Sequence, residues 1–374
     1  MKFIVKQNRF LKELLKVSRV IKTSSANPIL QFIKIECDKK GITLLATDET
    51  IYIQSLIPIQ EGEEKIIREI ENGSILIKSQ YLNDCIKKLT SKEFVFELVD
   101  DIVKIEDENT SYTLKTVPSD EYLDVDFSNE GDEINMKSSE FVDLIDQTCY
   151  AASMIQKPNS QAFLTSLNIV CKENKIVFTA LDSYKLAKNI FPYNTSASFN
   201  INIAASTAIE VSKLLNDTNT LKIILNPSRA LFSTENTKIV TQTCLSDFPE
   251  TDRFIPSNFN YILETNCRDL LNTIDRLIVS SAPSECVVKM NINSDEIQLS
   301  TNLNDVGNGE TRLTNFKFTG EPFEILFQAD YLLDTLKAVK STDVQICFVD
   351  RNKPFVVKNP KDSNSVMIVT PIRS

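Results

Sequence analysis

The sequence predicts an α+β protein of three tandem domains, in which antiparallel sheets carry helices on one side. Two hairpins of the same pattern lie one domain length apart, "GITLLATDETIYIQ" at residues 41–54 and "KIVFTALDSYKLAK" at residues 175–188. Each has a strand of alternating apolar residues, an alanine, an aspartate six residues after the first isoleucine, and a return strand. An amphipathic helix pattern precedes both copies. A repeat at this spacing indicates tandem domains of one architecture.

The same pattern recurs in every third of the chain. A degraded third copy of the hairpin lies at residues 296–309, where Leu303 replaces the aspartate. The helix patterns that precede the three hairpins span residues 8–22, 138–153 and 267–281. Each third then repeats a strand, a helix and a strand, and two further strands close each repeat, as "VKIED" and "SYTLKTV" do in the first third. We therefore predict about six strand-helix-strand-strand-strand units, two per domain.

Two polar, turn-rich segments mark the predicted domain boundaries. They are "SNEGDE", which begins at residue 128, and "PSNFNY", which begins at residue 256. The predicted domains are residues 1–128, 129–257 and 258–374. A chain of 374 residues has room for three domains of roughly 100–150 residues each.

The composition excludes the most familiar catalytic and cofactor chemistry. The 374 residues include no histidine, so the chain has no imidazole base and no Ser-His or Cys-His nucleophile. With 7 glycines in all, it also lacks a phosphate-binding glycine motif. The 8 cysteines form no Cys-x-x-Cys pair, which is typical of packed, reduced thiols rather than of a disulfide or zinc framework. We expect no cofactor, no metal site and no enzymatic activity.

The hydropathy pattern bears on localisation. No window of the sequence approaches the roughly 18 uninterrupted apolar residues of a membrane span, and the N-terminal segment carries a charge every few residues. We expect a cytoplasmic protein that is neither secreted nor embedded in a membrane.

The repeated aspartates, Asp48 and Asp182, are the residues most open to a catalytic interpretation. The third copy of the hairpin lacks the aspartate, and no second carboxylate stands at a fixed spacing from it. Aspartate in such a turn typically accepts hydrogen bonds from backbone amides. We therefore predict a turn-stabilising role. A carboxylate-dependent hydrolase and a non-enzymatic assembly scaffold are the alternatives at this point.

The helix pattern at residues 8–22 suggests a surface for polyanions. On a helical wheel, Phe10, Leu11, Leu14, Leu15, Val17 and Ile21 fall on one face, and Arg9, Lys12, Lys16 and Arg19 on the other. The net charge of the whole chain is −10. A basic helix face in an acidic chain is compatible with a local surface for a polyanion, although a solvated lysine face is the common alternative.

The order of several short motifs along the whole chain resembles one known family, the bacterial sliding clamp or β subunit of DNA polymerase III. The motifs are "MKFIV", "NPILQFIKIE", "ATDETI", "LDSYKLA", "DFPETDRFIP", "ADYLLDTLKAV" and the C-terminal "VMIVTPIRS". The resemblance implies a head-to-tail homodimeric ring, with sheets outside and helices lining a central hole that encloses duplex DNA. A eukaryotic-type clamp is a weaker match, because those chains have two domains and form trimers, whereas the repeats here count three.

The resemblance also implies a function and partners. It implies a non-catalytic processivity factor that holds double-stranded DNA without reading its sequence. The implied partners are a second copy of the chain, the DNA polymerase III α subunit, the clamp loader and other proteins with a clamp-binding motif. No membrane partner is implied.

By the same resemblance, an apolar pocket for a short linear peptide forms around three of the motifs. Leu-Asp-Ser-Tyr-Lys-Leu stands here where the commoner family text reads Thr-Asp-Gly-His-Arg-Leu, and the chain ends at Ser374. The implied pocket residues are Leu164, Leu181, Ser183, Tyr184, Lys185, Leu186, Pro249, Arg253, Phe254, Gln328, Tyr331, Pro354, Ile368, Val369, Thr370, Pro371, Ile372 and Arg373.

Two further sets of residues follow for a clamp. Basic residues of the helices are the candidate phosphate contacts: Lys12, Lys16, Arg19, Lys22, Lys78, Lys87, Lys88, Lys213 and Lys337. The strand "SYTLKTV" at residues 111–117 is a candidate sheet edge, which a strand of another subunit would cover with main-chain hydrogen bonds. The predicted apolar contacts across this dimer interface are Tyr112 and Leu114 on the strand, and Ile278 and Val279 on the opposing helix.

Overall fold

The predicted unit of strand, helix and three strands recurs six times in a computed structural model of the chain. The structure describes residues 1–22, 27–215, 220–279, 286–301 and 307–373. Leu303, at the aspartate position of the third copy, and the terminal Ser374 lie outside the described residues.

Each of the six predicted units has one α-helix, and the predicted three-domain α+β plan is confirmed. The helices are shorter than the sequence patterns suggest, and the third continues as a tighter helical turn at Cys149–Ala151. The helices are α1 (Gln7–Ser18), α2 (Ser79–Lys88), α3 (Ser138–Thr148), α4 (Ala205–Leu214), α5 (Cys267–Ile278) and α6 (Ala329–Ala338).

The Cα packing divides the chain into two compact units. The first unit comprises residues 1–138 and 214–242. Its strands are β1 (Lys2–Lys6), β2 (Phe32–Asp38), β3 (Gly41–Thr47), β4 (Ile51–Pro58), β5 (Gln60–Glu61), β6 (Glu64–Lys65), β7 (Ile67–Glu71), β8 (Gly73–Lys78), β9 (Glu93–Val99), β10 (Ile102–Glu106), β11 (Ser111–Lys115), β12 (Val117–Pro118), β13 (Asp132–Lys137), β18 (Thr220–Leu225), β19 (Arg229–Ser233) and β20 (Thr237–Gln242).

The second unit comprises residues 139–213 and 243–374. Its strands are β14 (Ser166–Lys172), β15 (Lys175–Leu181), β16 (Lys185–Pro192), β17 (Phe199–Ala204), β21 (Tyr261–Asn266), β22 (Val287–Ile292), β23 (Ile297–Thr301), β24 (Glu310–Leu313), β25 (Phe316–Thr319), β26 (Phe323–Gln328), β27 (Asp343–Phe348), β28 (Phe355–Lys358) and β29 (Ser365–Val369).

The strands of each unit pair in antiparallel sheets. The first unit has a sheet of order β11-β10-β9-β1-β7, a nine-stranded sheet of order β12-β8-β2-β3-β4-β20-β19-β18-β13, and the small pair β5-β6. The second unit has a nine-stranded sheet of order β17-β14-β15-β16-β29-β28-β27-β21-β25 and a four-stranded sheet of order β24-β23-β22-β26. Each nine-stranded sheet thus pairs strands that are distant in sequence.

Each long sheet crosses one of the predicted domain boundaries. In the first unit, Ile239 of β20 lies opposite Ile53 of β4. In the second unit, Ile368 of β29 lies opposite Leu186 of β16. Continuous sheets thus join the segments on the two sides of each predicted boundary. The boundaries after residues 128 and 257 stay predictions from the sequence.

Four phenylalanines anchor α1 to the five-stranded sheet. The Phe3 and Phe96 rings stack with centroids 4.5 Å apart, and the Phe10 ring meets Phe94 edge-on at 5.3 Å. All four side chains are at most 1% exposed. They occur on β1, α1 and β9, so one aromatic cluster holds the helix against two strands of the sheet.

The two faces of α1 differ in part from the helical-wheel prediction. Phe10, Leu14 and Val17 are buried as predicted, but Leu15 is 40% exposed. Lys16, predicted on the solvent face, has a side chain only 16% exposed. Its Nζ lies 2.6 Å from Glu13 Oε2 and donates to Thr237 Oγ1 at 3.1 Å. The wheel gave the wrong face because β4 and β20 pack against this side of the helix, which a helix considered alone does not reveal.

The cysteines agree with the prediction of packed thiols. All eight are free, and Cys37, Cys149, Cys171, Cys267, Cys286 and Cys347 are buried. Burial raises the pKa of the Cys37 and Cys149 thiols to about 12, so both stay protonated and unreactive at neutral pH.

We predict that Phe3→Ala lowers the free energy of unfolding by about 3–5 kcal/mol, because it removes a fully buried ring from the aromatic cluster. Leu15→Ala, a change on the exposed side of the same helix, serves as the control and costs less than about 1 kcal/mol. Urea unfolding followed by circular dichroism gives both values. Equal losses in the two variants would contradict the cluster's role.

Candidate functional site

A row of apolar side chains crosses six adjacent strands of the second unit. Strand register places each residue directly opposite the next, so all point to one face of the sheet. This apolar row consists of Leu181, Leu186, Ile368, Val356, Cys347 and Ile262. Leu186 and Ile368 at its centre are 5% and 3% exposed. The row is a flat hydrophobic surface made by segments that are distant in sequence.

Side chains of a short 3-10 helix (Ala162–Thr165) and of loops, rather than an α-helix, cover the apolar row. Phe163, Leu164, Phe248, Ile255 and Phe259 pack against it and are only partly buried. The Phe163 and Phe248 rings meet edge-on with centroids 5.8 Å apart. We call residues 243–255 the cover loop. A cover made of partly buried loop side chains separates from a sheet more easily than a helix does, since fewer buried contacts hold it.

Polar contacts hold the cover loop at two points. Asn202 Nδ2 donates to the backbone carbonyl of Ser246 at 2.7 Å. Further along, Lys188 Nζ pairs with the Asp252 carboxylate. Lys188 lies two residues after Leu186 on β16, and it therefore projects from the same face of the sheet as the apolar row. The loop is fastened on both sides of Phe248.

The cover loop and a neighbouring loop expose large apolar side chains. Phe254 is 43% exposed, and the Arg253 guanidinium lies 4.9 Å from the centre of its ring. Leu245 is 94% exposed, and Met154 and Ile155 are 51% and 73% exposed. Exposed apolar groups around a buried apolar surface are typical of a binding site for another protein.

Lys185 and its partners form a second cluster, on the opposite face of the sheet. Lys185 lies opposite Val369, which is fully buried. Its Nζ donates to the carbonyl of Tyr150 at 3.1 Å and lies 3.2 Å from Asp334 Oδ2 on α6. The same ammonium stands 5.6 Å from the centre of the Tyr331 ring. Lys185 therefore fastens the hairpin to α6.

An aromatic stack continues from this cluster to the surface. The Tyr184 and Tyr331 rings lie parallel with centroids 5.1 Å apart, and Tyr184 is 50% exposed. Burial, and then the neighbouring Tyr184, raises the pKa of Tyr331, so its phenol stays protonated at neutral pH. The backbone N–H of Thr370 donates to the Tyr184 carbonyl at 2.9 Å. The stack thus adjoins the C-terminal segment of the chain.

The structure brings together only part of the predicted pocket. Leu164, Leu181, Leu186 and Ile368 are in one cluster, and Phe254 lies in the cover loop between Asp252 and Ile255. Lys185 and Val369, which the resemblance places in the same pocket, lie on the opposite face of the sheet because side chains alternate along a strand, so their part in the pocket stays a prediction. Of four others, Ser183 is exposed, Pro249 is half-buried, and Pro371 and Ile372 lie in the last described segment.

Two of the remaining predicted pocket residues lie at the ends of strands, and the C-terminal ones follow β29. Gln328 ends β26 opposite Val287, and Pro354 immediately precedes β28. Ile372 donates its backbone N–H to the Leu326 carbonyl at 2.8 Å. Arg373 lines a separate open cavity of about 550 Å³ with residues 350–353.

Several residues of the site were not predicted from the sequence. Phe163, Phe248, Ile255 and Val356 pack in the apolar row or on it, and Tyr150 and Asp334 surround Lys185. The short run of aromatic and β-branched residues in "FVVK" could have identified Val356 as a strand residue. Nothing local could have identified the loop phenylalanines, because their contacts depend on how the loops cross the sheet.

Asp182 has the turn-stabilising role predicted for it. Its Oδ1 accepts the backbone N–H groups of Tyr184 and Lys185 at 2.6 and 2.7 Å. Asp48 Oδ1 accepts the equivalent N–H groups of Thr50 and Ile51, each at 3.1 Å. Burial acts to raise the pKa of Asp48, but bonds from Lys22, Thr50 and Ile51 outweigh it, and the net pKa is lowered. Both carboxylates accept hydrogen bonds from the backbone of their own turns, and Asp48 also pairs with Lys22.

The predicted phosphate contacts differ in their surroundings. Lys12, Arg19, Lys87, Lys88, Lys213 and Lys337 are exposed. Lys22 is exposed but lies 2.7 Å from Asp48 Oδ2, and Lys213 lies 2.7 Å from Glu210 Oε1. Lys78 is half-buried, with its Nζ 5.8 Å from the centre of the Tyr81 ring. Because Lys16 is largely buried, the exposed lysines and arginines are the better candidates for contact with a phosphate.

The predicted dimer strand is a sheet edge, as expected. β11 is the outermost strand of the five-stranded sheet, paired on one side with β10. Beside it lies a mainly apolar cavity of about 410 Å³, lined in part by Leu114, Tyr81 and Phe32. The predicted contact Val279 immediately follows the last residue of α5 and is 81% exposed.

The described residues contain neither a metal-binding cluster nor a helix that could span a membrane. Within the described ranges, no group of three histidine, cysteine, aspartate or glutamate residues could hold a metal ion. None of the helices that the structure describes is long and apolar enough to cross a membrane.

Comparison with known proteins gives matches over the whole chain. Residues 1–126 match "DNA polymerase III beta subunit, N-terminal domain", residues 135–250 the central domain, and residues 252–373 the C-terminal domain. The beta sliding clamp of Bacillus subtilis is 26% identical over 380 residues and that of Streptococcus pneumoniae 28% over 378, with 100% of this chain covered and at least 99% of each relative. The crystal structure of the Bacillus subtilis DNA polymerase sliding clamp superposes with a TM-score of 0.94 at 25% identity, covering 100% of this chain and 99% of that one.

Three clamp domains in this order define the class of three-domain DNA sliding clamps. The chain belongs to the DNA polymerase III beta subunit family, whose members are non-catalytic processivity factors.

We predict that Asp182→Asn changes the free energy of unfolding by less than about 0.5 kcal/mol, because an amide oxygen can accept the same two backbone N–H groups. Asp182→Ala leaves both donors without this acceptor and costs about 1–3 kcal/mol. Thermal unfolding of the two variants separates these outcomes. A large loss in Asp182→Asn would show that the negative charge itself is needed, contrary to a turn-stabilising role.

Proposed function

We propose that the protein is the processivity factor of a replicative polymerase, and that it acts as a homodimeric ring around duplex DNA. The observation that carries the proposal is the match of all three clamp domains in order along the whole chain. The polymerase α subunit, the clamp loader and other proteins with a clamp-binding motif are its proposed partners. We place its action in the cytoplasm.

Topology explains how such a ring works without tight binding. A closed ring cannot leave a duplex sideways, so weak phosphate contacts are sufficient and the ring stays free to slide. Phosphate contacts carry no sequence information, whereas base contacts would fix the ring at particular sites. We propose the exposed cations Lys12, Arg19, Lys87, Lys88, Lys213 and Lys337 as phosphate contacts, with smaller roles for Lys16, Lys22 and Lys78.

Closure of the ring is proposed to use the edge strand β11. Its unpaired backbone groups suit pairing with a strand of a second copy, and an uncovered edge would favour aggregation. Tyr112 and Leu114 on this strand would then meet Ile278 and Val279 of the partner copy. The 81% exposure of Val279 supports this assignment, because a side chain of this size is more often covered.

We further propose that the apolar row and the cover loop bind a linear peptide of the partner proteins. Leucine or phenylalanine side chains of the peptide would insert between the row and the phenylalanines of the loop. Phe254 is the residue best placed for the first contact, since it is the exposed aromatic of the cover loop. We expect a short peptide with few anchors to bind with an affinity in the micromolar range, because its contacts must offset the cost of ordering the peptide on binding.

We predict that Lys12→Glu with Arg19→Glu lowers the amount of ring loaded onto nicked circular DNA, most strongly at low salt, and lowers the salt slope of loading by up to about 2, because two phosphate contacts are lost. Lys39→Glu with Lys40→Glu, two exposed residues of the β2–β3 turn, makes the same charge change away from the helices and is the matched control. Gel filtration of the loaded circle measures retention, and cutting the circle should release the wild-type ring.

A second arm of that experiment tests ring closure. Tyr112→Asp with Leu114→Asp should give folded monomers that are not retained on the circle even at low salt. Wild-type protein that leaves an intact circle as fast as a cut one would refute the clamp proposal. Equal behaviour of the two charge-reversal pairs would instead remove α1 from the DNA surface.

For the peptide site, Phe254→Ala should weaken binding of a peptide with Leu and Phe anchors by about 1–3 kcal/mol, as truncation of a central contact does. Val99→Ala removes a similarly exposed apolar side chain of the first unit and should leave the affinity unchanged. Fluorescence anisotropy of a labelled peptide measures both. If the two variants lose the same affinity, or neither loses any, the peptide does not bind at this surface.

A further inference from the structure

A cavity lined by cations opens beside the end of the C-terminal strand. It has a volume of about 550 Å³ and is lined by Asp350, Arg351, Asn352, Lys353 and Arg373. Lys353 Nζ lies 3.6 Å from Asp350 Oδ2. In the part of the chain that the structure describes, the guanidinium groups of Arg351 and Arg373 take part in no ion pair. We call these five residues the basic cavity.

The basic cavity is unusual for this chain. The net charge is −10, and several arginines elsewhere are ion-paired, as Arg68 is with Glu93, Arg229 with Asp126 and Arg312 with Glu296. An arginine presents a planar fork of donors that matches a carboxylate or a phosphate. Two such forks and a lysine around one open cavity therefore form a candidate anion site.

The backbone holds the cavity in a defined place next to the apolar row. The turn between β27 and β28 carries Arg351 and Lys353, and Asp350 Oδ1 fixes it by accepting the Asn352 N–H at 2.8 Å. The segment that leads to Arg373 is tied by two backbone bonds, from Thr370 to Tyr184 at 2.9 Å and from Ile372 to Leu326 at 2.8 Å. Both segments continue strands that contribute to the row.

The distance along the chain suits one extended ligand. Arg373 follows Ile368 of the row by five residues, so the two Cα atoms are at most about 17 Å apart. An extended peptide of six residues spans about 20 Å. A peptide whose apolar side chains lie on the row can therefore place a neighbouring residue at the basic cavity.

We propose that the basic cavity binds acidic residues that flank the apolar anchors of the partner peptide, and so selects acidic peptides among those with suitable anchors. The inference rests on the peptide site proposed above. The chain as a whole repels an acidic ligand. At about 0.1 M salt the screening length is about 10 Å, so the nearest charges decide the local potential, and here three of the four charged groups are cationic.

The energetic role of the cavity is selection rather than anchoring. Ion pairs in an exposed site contribute little each, because water and salt screen them and long side chains must be ordered. Together the cations are expected to favour an acidic flank about 3- to 10-fold over a neutral one at low salt. They should also speed association, since charge complementarity acts mainly on the encounter rate.

The test uses fluorescein-labelled peptides that share the Leu and Phe anchors and differ in a flanking pair, either Asp-Asp or Asn-Asn. Each pair is placed before the anchors in one set and after them in another. The proteins are the full-length wild type, Arg351→Gln with Arg373→Gln, and Arg268→Gln. Arg268 is an exposed arginine of α5 in the same unit and controls for the loss of positive charge.

We expect the wild type to prefer Asp-Asp in one of the two placements, with a preference that falls as salt is raised. The double variant should lose the preference, whereas Arg268→Gln should keep it. If every protein binds Asn-Asn and Asp-Asp peptides equally, the inference is overturned while the peptide site stands. If no peptide binds the wild type, the peptide site and the inference both fail.

A nucleic acid is the other anionic ligand that this chain is proposed to meet. A short DNA duplex is therefore titrated against the same three proteins. Loss of duplex binding in the double variant alone, with no change in peptide preference, would reassign the basic cavity to DNA and overturn the inference.

Discussion

The antiparallel pairing of β16 with β29 is the contact on which the candidate site depends. It places Leu186 opposite Ile368 and so joins the second hairpin to the last strand of the chain. Without this ladder, the apolar row would end at Leu186 and the basic cavity would have no fixed position relative to it. The pairing of β4 with β20 does the same in the first unit. Main-chain hydrogen bonds thus set the positions of side chains that no local sequence could align.

Alternation along the strands divides the second unit into two surfaces with different roles. One face carries the apolar row, which partly buried phenylalanines cover. The other face carries Lys185, which is held by Asp334 and the Tyr150 carbonyl and is 9% exposed. A buried ammonium that lost these partners would be costly, so the cluster fixes the hairpin firmly. A rigid face behind a loosely covered one suits the proposed peptide site.

The distribution of charge is consistent with a protein that holds DNA without binding it tightly. The chain is acidic overall, and several of the candidate phosphate contacts are already paired, as Lys16 is with Glu13 and Lys22 with Asp48. Pairing lowers the number of counterions that a phosphate contact can release and so weakens the attraction. The absence of histidine from the sequence and the use of Asp182 in its own turn leave the hairpin without a catalytic group.

The sequence by itself determined the repeated architecture and the turn aspartates, because both depend on patterns within a few residues. Alternation and amphipathic periods identified all six helices and the strands around them, and Asp182 bonds to amides two and three residues away. Only the tertiary structure decided which side chains meet. The faces of Lys16 and Lys185 and the cavity around Arg373 depend on strands that pair across long stretches of chain. Local periods fix which residues share a face, but the register between distant strands is set by packing.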